Sequence, residues 1–324
     1  MEHKRFGRTD LQVPRVTFGG GWVGGVLIHQ NRDTAYAALD MAIAAGIDWI
    51  DTAAGYGNGV SETVIGGWLA ERPGTALSGI STKFRVDLSA PDHKGQMLSS
   101  VEASLDRLGR ESVDLVFLHN QIGAEHELDA NAALHFADLM ETLREQGLCR
   151  HLGITALGDP ADLKLVVRAS RFDVAQVYYN MLNPTADRSA IGSWNTHDFN
   201  GLLHDCVAQD MGTMGIRVIA AGHLASNKRH GREIPITGNA DDAAEEARSQ
   251  AALTAIGERH GTPAQASLRF GLACDLLSTI VVGLGELDHL RQVIEAAGQG
   301  PLPGGTIRAL DAARRSAPFT ERAS

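Results

Sequence analysis

Gly46-Ile47-Asp48-Trp49-Ile50-Asp51-Thr52-Ala53-Ala54-Gly55-Tyr56-Gly57 is the stretch from which the rest of the chain can be ordered. A glycine of the kind that closes a helix precedes a short β-rich run ending in Asp51, and a glycine-flanked loop then presents Tyr56. The pattern reads as the second strand of a barrel and the loop that leaves it. An acid at a strand end is ordinarily a turn-former or a helix cap, so Asp51 alone decides nothing. Two later strands change its weight, because Ile80-Ser81-Thr82-Lys83 and Val113-Asp114-Leu115-Val116-Phe117-Leu118-His119 also end in proton-handling residues. In a parallel β/α barrel every strand C-terminus opens on one face, so Asp51, Tyr56, Lys83 and His119 can converge although they lie far apart in the chain.

Outward from this stretch, strand and helix signals alternate. Residues 4–14 read as a β-hairpin turning at Gly7 and Thr9-Asp10, and residues 16–18 as the first barrel strand. A helix over 33–45 presents Tyr36, Leu39 and Ile43 on one face and stops at Gly46. Beyond the Tyr56 loop, Ser61 reads as the cap of a short helix with Ile65 and Leu69 inward. Strand 77–82 precedes a helix carrying Met97, Val101, Leu105 and Leu108 up to Gly109. The strand ending at His119 precedes one carrying Leu139 and Leu143 up to Gly147. Residues 152–155 are strand, Asp159-Pro160 opens a helix by N-cap and N1 chemistry, and strands 174–178, 215–220 and 279–282 complete the set. These alternations predict a (β/α)8 TIM barrel with an N-terminal β-hairpin and long βα loops. At 324 residues, with no Pro/Ser-rich linker or charge block, residues 1–324 are expected to form a single domain. The long stretches 181–200, with Trp194 and His197, and 221–241 follow strand ends and are expected to enclose substrate and cofactor.

Lys+Arg 29 against Asp+Glu 39 gives a net charge of -10, and no basic cluster stands out, which argues against nucleic acid or an anionic membrane as partner. No apolar run approaches about 20 residues, and Met1-Glu2-His3-Lys4 leads into the fold without a signal-peptide core, so a soluble, cytoplasmic protein is expected. Cys149, Cys206 and Cys274 are odd in number, far apart and outside any C-x-x-C pair, which suits a reducing compartment and structural thiols. Neither H-x-H nor H-E-x-x-H occurs, so no metal site is expected. Gly19-Gly20-Gly21-Trp22-Val23-Gly24 formally satisfies a dinucleotide-binding G-x-G-x-x-G. A Rossmann glycine loop opens directly into a helix, whereas residues 26–32 read as further loop, and that assignment is set aside.

With these pieces in place, the chain resembles the aldo-keto reductases, which work through an Asp, Tyr, Lys, His tetrad and a nicotinamide cofactor on a (β/α)8 barrel. The resemblance is carried by Phe6-Gly7-Arg8-Thr9, the Asp51 to Tyr56 loop, Ser61-Glu62 with Ile65-Gly66, Thr82-Lys83, the strand from Asp114 to His119, His151-Leu152-Gly153-Ile154-Thr155, and Gln176-Val177-Tyr178-Tyr179-Asn180. They run in family order over roughly residues 4–298. The resemblance implies that Tyr56 is the acid or base, that His119 is a second donor to the carbonyl or lactol oxygen, and that Lys83, held by Asp51, supports Tyr56. The residue types suit these roles. A tyrosine hydroxyl with a pKa of about 10 needs about 4 kcal/mol of phenolate stabilisation to work near neutrality, and one ammonium about 4 Å away at an effective dielectric near 20 supplies that much.

On the cofactor side the chain departs from the family's habit. The family commonly has Gly-x-Ser-Asn after the fifth strand; here Gly153-Ile154-Thr155-Ala156 keeps a hydroxyl at Thr155 and loses the Asn. Gln176 matches the glutamine that bonds the nicotinamide carboxamide. Ala220-Ala221-Gly222-His223-Leu224 stands where an Ala-Tyr-Ser-Pro-Leu run usually supplies a stacking aromatic, which leaves Tyr178, Tyr179, Trp194 or His223 to cover the ring. Val282-Gly283-Leu284-Gly285-Glu286 lacks the base that grips an NADP 2'-phosphate and adds an acid, so either cofactor remains open with NAD favoured over NADP. Gly283, Gly285 and Glu286 are the expected cofactor contacts there, with Arg291 one helical turn on as the residue that could still reach a phosphate.

The branch it most resembles is that of aldose and pyridoxal dehydrogenases, which implies a small carbonyl or sugar substrate. Trp22, Asn120, Trp194 and His223 are the expected substrate residues, with Asn195 and His197 as further hydroxyl-bonding candidates. Family barrels also serve as nicotinamide-binding regulatory or sensor subunits, but all four catalytic positions are filled here.

Overall fold

The computed structural model describes residues 1–123, 127–190, 194–225 and 241–320. Its strands are β1 (His3–Arg5), β2 (Gln12–Pro14), β3 (Val16–Gly19), β4 (Trp49–Asp51), β5 (Gly79–Phe84), β6 (Val113–Leu118), β7 (Cys149–Ala156), β8 (Val174–Tyr178), β9 (Gly212–Ile216) and β10 (Thr279–Gly283). Its helices are α1 (Val26–His29), α2 (Arg32–Ala44), α3 (Val60–Glu71), α4 (His93–Leu108), α5 (Ala130–Glu145), α6 (Pro160–Arg168), α7 (Leu202–Ala208), α8 (Asp242–Ile256), α9 (Pro263–Leu272), α10 (Leu287–Gln299) and α11 (Gly304–Ala313). Strands β3 to β10 form a closed barrel in the order β10-β3-β4-β5-β6-β7-β8-β9, every pairing parallel. The expected (β/α)8 barrel with its antiparallel N-terminal hairpin is the observed fold.

Local chemistry places the helices. In α4 Met97, Val101, Leu105 and Leu108 are buried on one face, Asp92 accepts from the Gly95 amide at the N-terminus, and left-handed Gly109 closes the C-terminus. Helix α6 starts at Asp159, whose side chain accepts from Ala161, with Pro160 in its first turn. Helix α9 starts in a full capping box between Thr262 and Gln265.

The hairpin closes the N-terminal end of the barrel. Phe6, Leu11 and Val13 pack against Trp49, Leu115, Phe117, Val174 and Met214, with Phe6 set edge-on to Trp49 at 5.3 Å between ring centroids. Inside so narrow a barrel each large ring needs a glycine on the next strand. A Cβ on Gly79 would lie 2.3 Å from the Trp49 ring, and one on Gly153 would lie 2.4 Å from the Phe117 ring.

Several boundaries differ from the sequence reading. The seventh barrel strand is Gly212–Ile216, not 215–220, because the chain leaves the ladder at Arg217: its backbone is left-handed (φ 60°) and its carbonyl accepts from Asn180 Nδ2. Ser61 does not cap α3; Gly59 does, and the buried Ser61 hydroxyl bonds Thr52 Oγ1 at 2.9 Å. One helical turn, α1, follows the glycine run directly, but the sheet around it is a closed barrel and not an open dinucleotide-binding sheet. The 181–200 stretch is held by the C-terminal segment: Arg314 donates to Met181 O, Asn195 Nδ2 to Pro318 O, and Trp194 stacks on Phe319. Most of the second long loop, 226–240, lies outside the described residues.

The hairpin is tied to the barrel floor through Asp173, which accepts from Arg8 Nε at 3.1 Å, from Arg144 and from the Leu152 amide at 3.0 Å, with His151 Nδ1 at 3.7 Å. Burial alone would push its pKa up; the hydrogen bonds of His151 and Leu152 and the charges of Arg144 and Arg8 bring it down to about 2. A carboxyl with a depressed folded-state pKa contributes stability that is complete above its ordinary value near 3.8 and is lost as pH falls towards 2. Asp173→Ala therefore destabilises the fold by about 2–4 kcal/mol at pH 7, and its deficit against wild type shrinks below pH ~4. Denaturant unfolding at both pH values checks this; a pH-independent deficit would contradict it.

All three cysteines are buried free thiols, and burial raises Cys149 and Cys206 to about 12 and Cys274 to about 11, which leaves them unreactive. Among the described residues no helix is long and apolar enough to cross a membrane.

Candidate active site

Parallel strands bring their last side chains to one rim, and there the four sequence-selected residues meet. Asp51 ends β4, Lys83 stands one residue before the end of β5, His119 follows β6, and Tyr56 projects from the loop after β4. Lys83 is 1% exposed; its Nζ donates to Asp51 Oδ2 and to Thr52 O, each at 2.6 Å, and lies 4.8 Å from the centre of the Tyr56 ring. Burial pulls the ammonium's pKa down, but the charge of Asp51, with Tyr56, outweighs it and sets the pKa above the ordinary lysine value. Lys83 is thus a permanently charged group beneath the tyrosine. The Tyr56 and His119 rings meet edge-on at 5.8 Å. His119 is half-buried beside Lys83 and Arg85, and desolvation first, then those charges, lower its pKa to about 3. It is neutral at physiological pH.

Asp51 is saturated with donors. Besides Lys83, it accepts at Oδ1 from Ser81 Oγ at 2.7 Å and from Gln176 Nε2 at 2.8 Å, and Ser81 in turn accepts from the Trp49 indole at 3.1 Å. Behind β5, buried Glu62 accepts from Thr82 Oγ1 and from Arg107 Nε, which fixes the strand one residue before Lys83. The Ser61-Glu62 motif therefore braces the lysine without touching the cleft.

These residues border a cleft of about 1490 Å³ at the C-terminal rim of the barrel, lined by Asp51, Tyr56 and His119 and by the loops after β3, β7, β9 and β10. The volume accommodates an elongated ligand together with a small one. Thr155, at the end of β7, is 2% exposed, and its hydroxyl has no hydrogen-bond partner although it faces this cleft. A buried hydroxyl left unpaired is costly, so the wall has a place kept for a polar ligand group. The first residues of α9 (Thr262, Pro263) and Glu286 at the head of α10 also line the cleft, so two helix N-termini face it, that of α10 without a side-chain cap. The donor set fits a nicotinamide dinucleotide: an unpaired hydroxyl and two helix N-termini on the wall of the cleft that Tyr56 also lines.

Of the other sequence-selected residues, Trp22, Gln176, Gly283, Gly285 and Glu286 line the cleft. Five do not. Tyr179 stacks on Phe270 at 5.2 Å in the core outside the barrel wall, because adjacent strand residues face opposite ways. Arg291 lies on the exposed side of α10 paired with Asp288, while Leu290 and Val293 turn inward. Asn120 spends both ends of its amide on the Val86 backbone, each bond 2.9 Å. Trp194 is on the C-terminal clamp, and His223 is buried beside Asp242 and Glu246 of α8. Sequence reasoning missed Arg85 and Arg217, both on the cleft wall.

The sequence profile of the Aldo/keto reductase family matches residues 15–315. The chain is similar to D-threo-aldose 1-dehydrogenase from Pseudomonas sp, 28% identical over an alignment of 318 positions that covers 89% of this chain and 90% of that protein. It is also similar to the uncharacterized oxidoreductase YqkF of Bacillus subtilis, 23% identical over 96% of this chain and 95% of that one. Among solved structures, aldo-keto reductase AKR11C1 from Bacillus halodurans in its holo form superposes with a TM-score of 0.74 over 99% of this chain and 100% of that chain, at 18% identity, a likeness of fold.

Proposed function

Because the chain belongs to the aldo-keto reductase family, we propose that it is an NAD(P)-dependent oxidoreductase that interconverts an aldehyde, ketone or sugar lactol with the corresponding alcohol or lactone. The observation that carries this reading is the buried Lys83 ammonium, fixed by Asp51 on one side and set 4.8 Å from the Tyr56 ring on the other. A bound nicotinamide would supply or accept the hydride. The rest is the chain's own work. Tyr56 gives its hydroxyl proton to the carbonyl oxygen in reduction and withdraws it in oxidation, with Lys83 stabilising the phenolate. His119, neutral, donates a hydrogen bond that orients the same oxygen. Thr155, with its unpaired hydroxyl, and the carbonyl end of Gln176 would hold the carboxamide, while the Nε2 of Gln176 stays on Asp51. That bond joins the carboxamide niche to the tetrad.

The similarity to an aldose dehydrogenase supports a lactol among the substrates, and the reducing surroundings implied by three buried free thiols suit the cytoplasm. NAD is the preferred cofactor in this reading. Glu286 lines the cleft where a 2'-phosphate would meet its charge, and Arg291 is turned away towards Asp288. Fluorescence titration with NAD, NADH, NADP and NADPH, followed by turnover on a panel of aldoses and aldehydes, tests both statements. Binding with turnover, and a lower KM for NAD than for NADP, is expected. A lower KM for NADP removes the preference, and binding without turnover on any substrate favours a sensor subunit instead.

A further inference from the structure

One cation on the inner wall of the cleft has no part in the chemistry above. Arg217 follows the last residue of β9 and lines the cleft, with its carbonyl pinned by Asn180 Nδ2 at 3.0 Å. The neighbouring charges are matched: Lys83 by Asp51, Arg85 by Glu127. His119 is neutral. The Arg217 guanidinium meets no carboxylate and no hydrogen-bond acceptor among the described residues, and Glu286, the other carboxylate on the wall, forms no ion pair with it. Burial lowers its pKa, and the groups that raise it are the phenols of Tyr178 and Tyr56. A partly buried guanidinium has five N–H donors and favours planar anions that accept from two of them at once. In a chain of net charge -10, an unmatched positive charge close to the reacting tyrosine is a local specialisation and not a general surface property.

We propose that Arg217 is a specificity-determining residue that receives a carboxylate carried by the substrate, so that the preferred substrates are aldehydes or lactols bearing an acid group, of the uronic-acid kind. The proposal rests on the oxidoreductase reading and sharpens its substrate class. A dinucleotide's diphosphate is the other anion available to this cleft. The N-termini of α9 and α10, on the same cleft wall, suit a diphosphate, whereas Arg217 is within electrostatic reach of Tyr56.

The test compares kcat/KM for two matched pairs, galacturonate against galactose and 4-carboxybenzaldehyde against benzaldehyde, in wild type, Arg217→Met and Arg217→Lys, with NAD affinity measured alongside. Wild type is expected to favour the acid of each pair by about ten- to a hundredfold; Met removes that preference and Lys, a charge without the planar fork, keeps part of it. A wild-type ratio near one overturns the proposal even where Arg217→Met does not fold. An unchanged ratio in Arg217→Met with weakened NAD binding assigns the guanidinium to the cofactor and also overturns it. Absence of turnover on all four compounds would instead be a failure of the oxidoreductase reading, and this proposal would fall with it.

Discussion

Replacing Tyr56 with phenylalanine lowers kcat by about a hundred- to ten-thousandfold on any aldehyde or lactol that the wild type turns over, with the affinity for the nicotinamide cofactor retained. The substitution removes one oxygen and little else. The loop that carries the residue is set by backbone bonds, Tyr56 N to Ala53 O at 3.0 Å and Ser61 N to Tyr56 O at 3.3 Å, and the phenyl ring keeps its edge-on contact with His119 and its place above Lys83. His119 cannot take over the proton transfer, since with a pKa of about 3 it is neutral throughout the working range and serves as a hydrogen-bond donor. Steady-state kinetics with a parallel cofactor titration checks this. A loss of only a few-fold would mean that another group moves the proton and that the placement of Lys83 beneath the ring serves structure alone.

The barrel and the tetrad were legible in the sequence for a common reason. Strand C-termini in a parallel barrel share one rim, so a proton-handling residue at the end of a strand can be assigned to the site without knowing any contact. Legibility failed where a side chain's partner lies far off in the chain. Asn120, Trp194 and His223 are residue types that bond hydroxyls, but their partners are Val86, Phe319 and Asp242, and no local pattern reports such pairs. Tyr178 and Tyr179 are neighbours on one strand end, and only the pleat decides which faces where. Arg291 is different, because the inward spacing of Leu290 and Val293 already turns it outward, so helical periodicity contained the answer. Arg217 was hidden within an apolar run that reads as continuous strand through Ala220; the left-handed turn that exposes it to the cleft leaves no mark in an arginine codeword.

Lys83→Met separates the electrostatic role of the lysine from its structural one. Burial lowers the Lys83 pKa, but the charge of Asp51 and the contact with Tyr56 outweigh it, so the ammonium is charged near neutral pH. Without it the phenolate that forms on Tyr56 during oxidation loses the charge that stabilises it, which cuts the rate at pH 7 by about a hundred- to thousandfold. The same substitution leaves Asp51, 3% exposed, with Ser81 and Gln176 as neutral donors but no counter-charge, at a cost of about 3–5 kcal/mol in stability. Asp51→Asn in the Lys83→Met background removes the stranded charge and restores part of that stability without restoring the rate at neutral pH. Together, rates at pH 7 and denaturant unfolding of the single and double variants distinguish the two roles. A rate that recovers together with stability in the double variant would show that the ammonium serves only to hold the fold, and the electrostatic account of the site would have to be abandoned.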